Sequence, residues 1–243
     1  MKEQEVTIAL GDGKAAYGML HGKFADTVLV FVHGLTGRMD SGLPYMASLF
    51  FSDNGINSLR FNLYDGRKNA RDMGEAGLKV NASDIDAVVG HCLSKGAKKV
   101  HVIGHSYAGP AIFMSPKKKF ISAILYDPSH PMRTPFGDDL KYIKELNAYL
   151  RRSGTDYIFS RRFIEEGRAL NPDKYLKGYA VPTIIFNAGK GTLVEAGKDY
   201  EARLKGKMKF KRSVIKEADH SFTRQGPREE LFRQTLKWLK TFD

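Results

Sequence analysis

Cysteine and tryptophan are nearly absent from this sequence, which has one of each among 243 residues. The single cysteine, Cys92, excludes an internal disulfide, and no metal-ligand spacing surrounds it. Long apolar runs are absent too, because none approaches the roughly 20 residues that cross a bilayer. The first residues, Met1 to Glu5, lack the apolar stretch of a secretory signal. We therefore expect a cytoplasmic protein without integral membrane association.

Acidic residues are also scarce, with 27 Asp and Glu against 39 Lys and Arg and a net charge of +12. Such an excess favours anionic partners, among them nucleic acid, anionic membranes and acidic substrates. No recognised nucleic-acid-binding motif accompanies it, so we expect no nucleic-acid partner. Internal repeats and low-complexity segments are missing. A chain of this length with 42% hydrophobic residues is expected to form one globular domain.

The sequence does contain an alternation of apolar runs of strand length with helical periodicity. Strands are predicted at 6–10, 17–21, 27–32, 56–63, 100–105, 120–126, 182–187 and 210–215. Helices are predicted at 44–54, 80–96, 107–115, 194–204 and 228–242. This order predicts an α/β fold with a mostly parallel eight-stranded sheet and right-handed crossovers.

The alternation pauses between Pro131 and Ala180. Two helical segments are predicted there, at 138–152 and 157–170, and the first carries leucine and isoleucine at helical spacing. We therefore expect a core formed by 1–130 and 181–243, with a small helical cap at 131–180 inserted after the sixth strand.

One apolar run ends in the sequence Gly-His-Ser-Tyr-Ala-Gly, which centres on Ser106. A serine that projects from a sharp strand-to-helix turn needs small neighbours, and Gly104 and Ala108 meet that need. An ordinary glycine-containing turn after a buried strand gives the same pattern, so these residues alone leave both interpretations open.

Several polar residues follow the ends of predicted strands: His33, Ser106, Asp127, Asn187 and His220. Ligands of open α/β sheets bind outside the carboxyl ends of the strands. We therefore expect the loops that carry these residues to converge on one site.

Four stretches in this order, 33–37, 104–109, 182–195 and 218–222, carry a family resemblance. The sequence resembles the α/β-hydrolase superfamily over nearly its whole length. Within that superfamily it is similar to small cinnamoyl or feruloyl esterases and to serine-aminopeptidase-like hydrolases. The resemblance implies the α/β-hydrolase fold, with helices on both faces of the sheet, and a reaction that needs no cofactor or metal.

The resemblance also implies roles for individual residues. Ser106 would be the nucleophile and His220 the general base that takes its proton. The backbone N–H groups of Leu35 and Tyr107 would hold the oxyanion of the tetrahedral intermediate. Gly34 would bring its loop close.

Other residues have supporting or structural roles. His33 would brace the oxyanion loop, in which Gly37 also allows a close approach. His105 is expected to point into the surroundings of the sheet. Three further histidines lie within regular elements and are expected to be structural: His21, His91 and His101.

The carboxylate that should orient the histidine is missing from its usual place. Similar esterases carry it after the seventh strand in a pattern H-G-x-x-D-x-x-V-P, and an ungapped alignment puts Gly191 at the aspartate. Asp127, at the end of the preceding strand, is the strongest substitute, and Glu195 is a second candidate. A dyad supported by water or Asn187, or loss of catalysis, remains open. Asp219 adjoins His220 and is expected to shape its loop.

The most direct interpretation is a serine hydrolase that cleaves small carboxylic esters through an acyl-enzyme. A thioesterase that acts on acyl-CoA or acyl-carrier groups is an alternative, since the basic charge suits such substrates. A hydrolase-fold binding protein is another, because of Gly191.

The inserted segment bears on the substrate through its composition. Aromatic side chains suit an acyl or aryl group and arginines attract an anionic leaving portion. The aromatic residues are Phe136, Tyr142, Tyr149, Tyr157, Phe159, Phe163, Tyr175 and Tyr179, and the arginines are Arg133, Arg151, Arg152, Arg161 and Arg162. The same residues suit packing against the sheet and a solvated surface equally well.

Overall fold

The computed structural model describes residues 2–129, 140–153 and 155–242. The strands are β1 (Glu3–Ala9), β2 (Ala15–His21), β3 (Asp26–Val32), β4 (Asn57–Phe61), β5 (Ala97–His105), β6 (Ser122–Tyr126), β7 (Leu140–Ile143), β8 (Ala148–Ser153), β9 (Thr155–Ser160), β10 (Thr183–Ala188) and β11 (Phe210–Ile215). The helices are α1 (Gly42–Asp53), α2 (Leu78–Ser94), α3 (Ala108–Met114), α4 (Arg161–Ala169), α5 (Pro172–Tyr175), α6 (Val194–Leu204) and α7 (Gln225–Leu239), with short 3-10 turns at Lys144–Leu146 and Lys240–Phe242.

Eight strands form one sheet in the order β1-β2-β4-β3-β5-β6-β10-β11. The pairs β1–β2 and β2–β4 are antiparallel, and every later pair is parallel. The predicted eight-stranded, mostly parallel sheet is thus confirmed. Because β3, β5, β6 and β10 are parallel neighbours, their carboxyl ends lie along one edge.

Both faces of the sheet are covered by helices. In β3, Val28, Val30 and Val32 belong to an apolar cluster that includes α2, α3 and α6, whereas Leu29 and Phe31 belong to a second cluster that includes α1 and α7. A parallel strand covered on both faces is expected to be apolar at every position. None of the helices among the described residues is long and apolar enough to span a bilayer.

The inserted segment differs from its prediction. Where a helix was expected at 138–152, the described residues form β7, a 3-10 turn and β8, and the start of the second predicted helix is β9. These strands make a separate antiparallel sheet in which Tyr142 pairs with Tyr149 and Leu150 with Ile158. Helix α4 lies within the second predicted segment.

The physical reason is that apolar residues lie on both faces of this small sheet, which makes its period ambiguous. Tyr149 and Phe159 belong to or pack against an apolar cluster with α4, whereas Ile158 on the opposite face is 49% exposed. Asn147, in the left-handed region at φ 46°, lies between the 3-10 turn and β8. Cross-strand pairing of tyrosine, leucine and isoleucine outweighs their helical spacing.

Candidate active site

Ser106 lies in a tight turn between β5 and α3. Its φ of 54° is in the left-handed region, which is costly for a residue other than glycine. The turn brings α3 so close that a Cβ on Gly104 would lie 2.3 Å from Ile112 Cδ1. A Cβ on Gly109 would lie 2.6 Å from Pro128 Cβ. The small residues around Ser106 are therefore required by the packing of α3.

His220 and Asp127 continue from Ser106 in a hydrogen-bonded series. His220 Nε2 is 3.0 Å from Ser106 Oγ, and His220 Nδ1 is 2.6 Å from Asp127 Oδ2. Asp127 is completely buried, while the side chain of His220 is 41% exposed. When the carboxylate accepts this hydrogen bond, Nδ1 carries the proton and Nε2 accepts from the serine hydroxyl. Three groups in this geometry can act as a nucleophile, a general base and an orienting acid.

The Asp127 carboxylate occupies a prepared position at the end of β6. Its second oxygen, Oδ1, accepts hydrogen bonds from the Ala188 N–H at 3.1 Å and from Asn187 Nδ2 at 3.3 Å. The Asn187 amide is held in turn by Arg212, whose Nη1 donates to Asn187 Oδ1 at 3.1 Å. A Cβ on Gly191 would lie 3.0 Å from Asp127 Oδ2. The glycine therefore leaves room for the carboxylate.

The other candidate acids point elsewhere. The Glu195 side chain is 79% exposed and pairs with Lys198. Asp219 accepts the N–H groups of Ser221 and Thr223, and so shapes the loop that carries His220.

The loop at 33–37, predicted to hold the oxyanion, follows β3 and lies directly against the serine. A Cβ on Gly34 would be 3.2 Å from Ser106 Cβ. His33 donates from Nδ1 to Gly34 O at 2.8 Å and accepts the Leu63 N–H at Nε2. Burial lowers the pKa of His33 to about 4, which keeps the ring neutral and its tautomer fixed.

Two backbone N–H groups in the loops around Ser106 have no protein acceptor among the described residues. Within the described residues, neither the Leu35 nor the Tyr107 N–H donates to another protein group. The next N–H in the loop, that of Thr36, donates to Tyr64 Oη at 2.7 Å. Thr36 has a φ of 61°, so Tyr64 supports a strained part of this loop. Sequence reasoning missed Tyr64, for which the sole signal was its position just after β4.

His105 differs from its expected role. Its Nε2 donates to the backbone carbonyl of His220 at 2.8 Å, and the two rings lie 4.8 Å apart. Burial, with a contribution from nearby His220, lowers the pKa of His105 to about 4. The neutral imidazole of His105 therefore holds the backbone of His220, the proposed base, and does not point into the surroundings of the sheet as expected.

The inserted segment covers the serine turn. Tyr107 stacks on Phe163 of α4 at 5.2 Å, and Phe163 stacks on Phe159 at 5.1 Å. Tyr149 and Tyr157 pack against the same cluster. These aromatic residues form an apolar wall beside the site.

Other residues named for the insertion serve different contacts. Tyr175 and Tyr179 pack against Phe113 in the core, and Tyr142 is 41% exposed. Arg152 and Arg161 pair with carboxylates four residues later. Arg162 donates to the Glu75 carbonyl. Arg133 and Phe136 lie outside the described residues, as does His130.

The part of the chain that the structure describes contains no set of metal ligands. No group of three or more His, Cys, Asp and Glu side chains there is arranged to hold an ion.

Comparison with known proteins identifies the family to which this chain belongs. Residues 29–233 match the model of the alpha/beta hydrolase family. The ferulic-acid-bound structure of Est1E from Butyrivibrio proteoclasticus superposes with a TM-score of 0.78 at 16% identity, covering 97% of this chain and 99% of that one. For the Pyrococcus furiosus esterase Pf2001 the TM-score is 0.74 at 19% identity, over 99% and 92% of the two chains. No curated protein sequence matches significantly. The predicted α/β-hydrolase fold is confirmed.

Proposed function

The chain belongs to the alpha/beta hydrolase family, and on that premise we propose that it is a serine hydrolase that cleaves carboxylic esters through an acyl-enzyme. One observation carries the proposal. Asp127, His220 and Ser106 form a continuous series with distances of 2.6 and 3.0 Å. A binding protein that has lost catalysis has no need of a buried carboxylate held against this histidine.

The chemistry follows from these positions. Ser106 Oγ attacks the ester carbonyl while His220 Nε2 takes its proton. The Leu35 and Tyr107 N–H groups donate to the resulting oxyanion, and each such donor contributes about 100- to 1000-fold to the rate. His220 then gives the proton to the leaving alcohol. Water, deprotonated by the same ring, releases the acid and restores Ser106.

Asp127 holds His220 in the tautomer that this sequence of steps requires. It also stabilises the imidazolium that forms when the base is protonated. The Ala188 and Asn187 donors hold the other carboxylate oxygen, Oδ1, and so fix the orientation of Asp127 toward His220.

The substrate class rests on the neighbourhood of the site. The stacked Tyr107, Phe163 and Phe159 rings offer an apolar wall for an acyl or aryl group. Est1E, a protein of similar fold, binds ferulic acid. Oxygen esters of aromatic or short aliphatic acids are therefore the first substrates to assay.

The test is turnover of p-nitrophenyl acetate and butyrate by the wild type and by Ser106→Ala. We expect hydrolysis by the wild type, covalent labelling of Ser106 by a fluorophosphonate, and loss of both in the variant with an unchanged melting temperature. Acyl-CoA substrates assayed beside the oxygen esters test the thioesterase alternative. Absence of both turnover and labelling would overturn the proposal.

A further inference from the structure

A cleft of about 430 Å³ lies beside the proposed catalytic residues. It opens between the oxyanion loop, the beginning of α1 and the loop that follows His220. The residues that line it are His33, Gly34, Leu35, Thr36, Gly37, Ser41, Gly42, Leu43, Pro44, His105, Ser221, Phe222, Thr223 and Arg228.

The cleft shares its walls with the catalytic machinery. Leu35, a proposed oxyanion donor, lines it, and so does Ser221, the residue after His220. Gly34 forms part of the cleft and lies against Ser106. Because His220 must protonate the departing alcohol, that alcohol lies on the side of the His220 loop. The cleft is therefore placed to receive the leaving group.

The charge of the lining has one sign. Arg228 is its single ionised residue at neutral pH, and none of the residues lining it is Asp or Glu. Arg228 as a whole is half-buried, and its Nη1 donates to Thr223 O at 3.0 Å, with no carboxylate at ion-pair distance among the described residues. Arg228 lies in the first turn of α7, which contains no acidic residue, and Glu229 and Glu230, which follow it in the helix, do not line the cleft.

The hydrogen-bonding groups of the lining suit an anion as well. Thr36, Ser41 and Ser221 contribute hydroxyl groups. A second positive charge, that of Arg38, contributes after burial to the lowered pKa of His33. Arginine presents several N–H donors in a planar fork that matches the oxygens of carboxylates and phosphates.

We propose that this cleft is a subsite for the leaving alcohol and selects alcohols that carry a carboxylate or phosphate group, with Arg228 as the specificity-determining residue. The inference rests on the proposed esterase function. In the reaction the ester C–O bond breaks and a bond from Ser106 Oγ to the acyl carbon forms. The serine proton passes through His220 to the departing oxygen, and the anionic alcohol leaves from beside Arg228.

The test compares two aryl esters of acetic acid. One is 4-acetoxybenzoate, whose leaving phenol carries a carboxylate, and the other is methyl 4-acetoxybenzoate, in which that carboxylate is a neutral methyl ester. The measured quantity is the ratio of their kcat/KM values, so differences in leaving-group reactivity cancel between variants. We expect Arg228→Gln to lower the ratio about 10-fold, the size of one lost hydrogen bond to a charged group. 4-Acetoxyphenyl phosphate in place of the carboxylate shows which anion the subsite prefers.

Arg224→Gln is the matched control. Arg224 is four residues away, its side chain is 64% exposed, and its nearest carboxylate is Glu217 at 3.9 Å. We expect this variant to keep the wild-type ratio. If both esters are hydrolysed and Arg228→Gln also keeps that ratio, the subsite is overturned while the esterase proposal stands.

A binding measurement makes the inference independent of turnover. Calorimetric titration of Ser106→Ala with 4-hydroxybenzoate is compared with the same titration of Ser106→Ala/Arg228→Gln. We expect the second protein to bind about 10-fold more weakly, and methyl 4-hydroxybenzoate to show no such difference. Equal affinity of the two proteins for 4-hydroxybenzoate overturns the subsite, even if no ester is turned over.

Discussion

The carboxylate of Asp127 lies 3.0 Å from the point that a Cβ on Gly191 would occupy. Two positions in different loops, after β6 and after β10, thus reach the same volume beside His220 Nδ1. One of them carries a carboxylate and the other carries no side chain, and two carboxylates at this separation would repel each other.

Moving the acid between these two positions is therefore a direct test of its role. Asp127→Asn should lower kcat about 10,000-fold, because the imidazole loses its orienting anion. Asp127→Ala/Gly191→Asp should recover at least tenfold over Asp127→Ala, since the new Cβ is near the vacated carboxylate. Gly191 does not have a left-handed φ, and its Cβ position lies 3.2 Å from Ala188 Cβ and Ala188 O, so the new side chain requires Ala188 to shift by a few tenths of an ångström.

The measurement is kcat for p-nitrophenyl butyrate in each variant. Gly191→Asp alone serves as the control and should lower kcat, because two carboxylates then share one site. An effect of Asp127→Asn below a few-fold would remove Asp127 from the proposed triad.

His105 is expected to position His220 through its main chain. His105→Leu removes the N–H that donates to the His220 carbonyl and should lower kcat about tenfold with little change in KM. His105→Gln places an N–H near the same point and should recover most of the loss. Steady-state kinetics with a pH profile measure both effects. Equal kcat values for the Leu and Gln variants would mean that ring packing, and not the hydrogen bond, matters.

Two neutral histidines, the buried His33 and the half-buried His105, make folding stability dependent on pH. Burial lowers the pKa of His33 and His105 to about 4, against about 6.5 in the unfolded chain. Between these values the unfolded chain binds more protons, so the free energy of unfolding should rise with pH and level off above about 6.5. For the fully buried His33 the rise amounts to about 3 kcal/mol.

Urea unfolding at about pH 5 and pH 7 measures this dependence. His33→Gln should reduce the difference between the two free energies, whatever its effect at either pH. An unchanged difference in that variant would show that other groups control the dependence.

Two helical glycines, Gly109 in α3 and Gly90 in α2, are expected to change the stability of the fold in opposite directions when replaced by alanine. Gly109→Ala places a Cβ 2.6 Å from Pro128 Cβ, a rigid neighbour, and should destabilise the fold by about 1–3 kcal/mol. Gly90, inside α2, has nothing within 4 Å of its Cβ position, so Gly90→Ala should stabilise by about 0.5–1 kcal/mol. Thermal unfolding of the two variants compares them. A stabilising Gly109→Ala would contradict the close approach of α3.

Much of the fold was predictable from the sequence because its signals are local. The run from Val28 to Val32 is apolar at every position, which suits a strand covered on both faces. Gly55 and Gly96, both with positive φ, follow the ends of α1 and α2, and a glycine at this position is a local signal for the end of a helix. The insertion was mispredicted because Tyr149 and Ile158 lie on opposite faces of a sheet whose two sides both carry apolar residues.

The sequence by itself determined the turn that carries Ser106, because small residues at Gly104 and Ala108 are a requirement of short-range packing. It also determined that His33, Asp127 and His220 follow strand ends. The tertiary structure alone decided which carboxylate stands behind His220. Asp127 and His220 are 93 residues apart, and they meet because β6, β10 and β11 are successive parallel strands of the sheet, with Asp127 after β6 and His220 after β11. Gly191 is a second example. The sequence shows only that a glycine stands there, whereas the tertiary structure shows that its missing side chain leaves room for the Asp127 carboxylate from another loop.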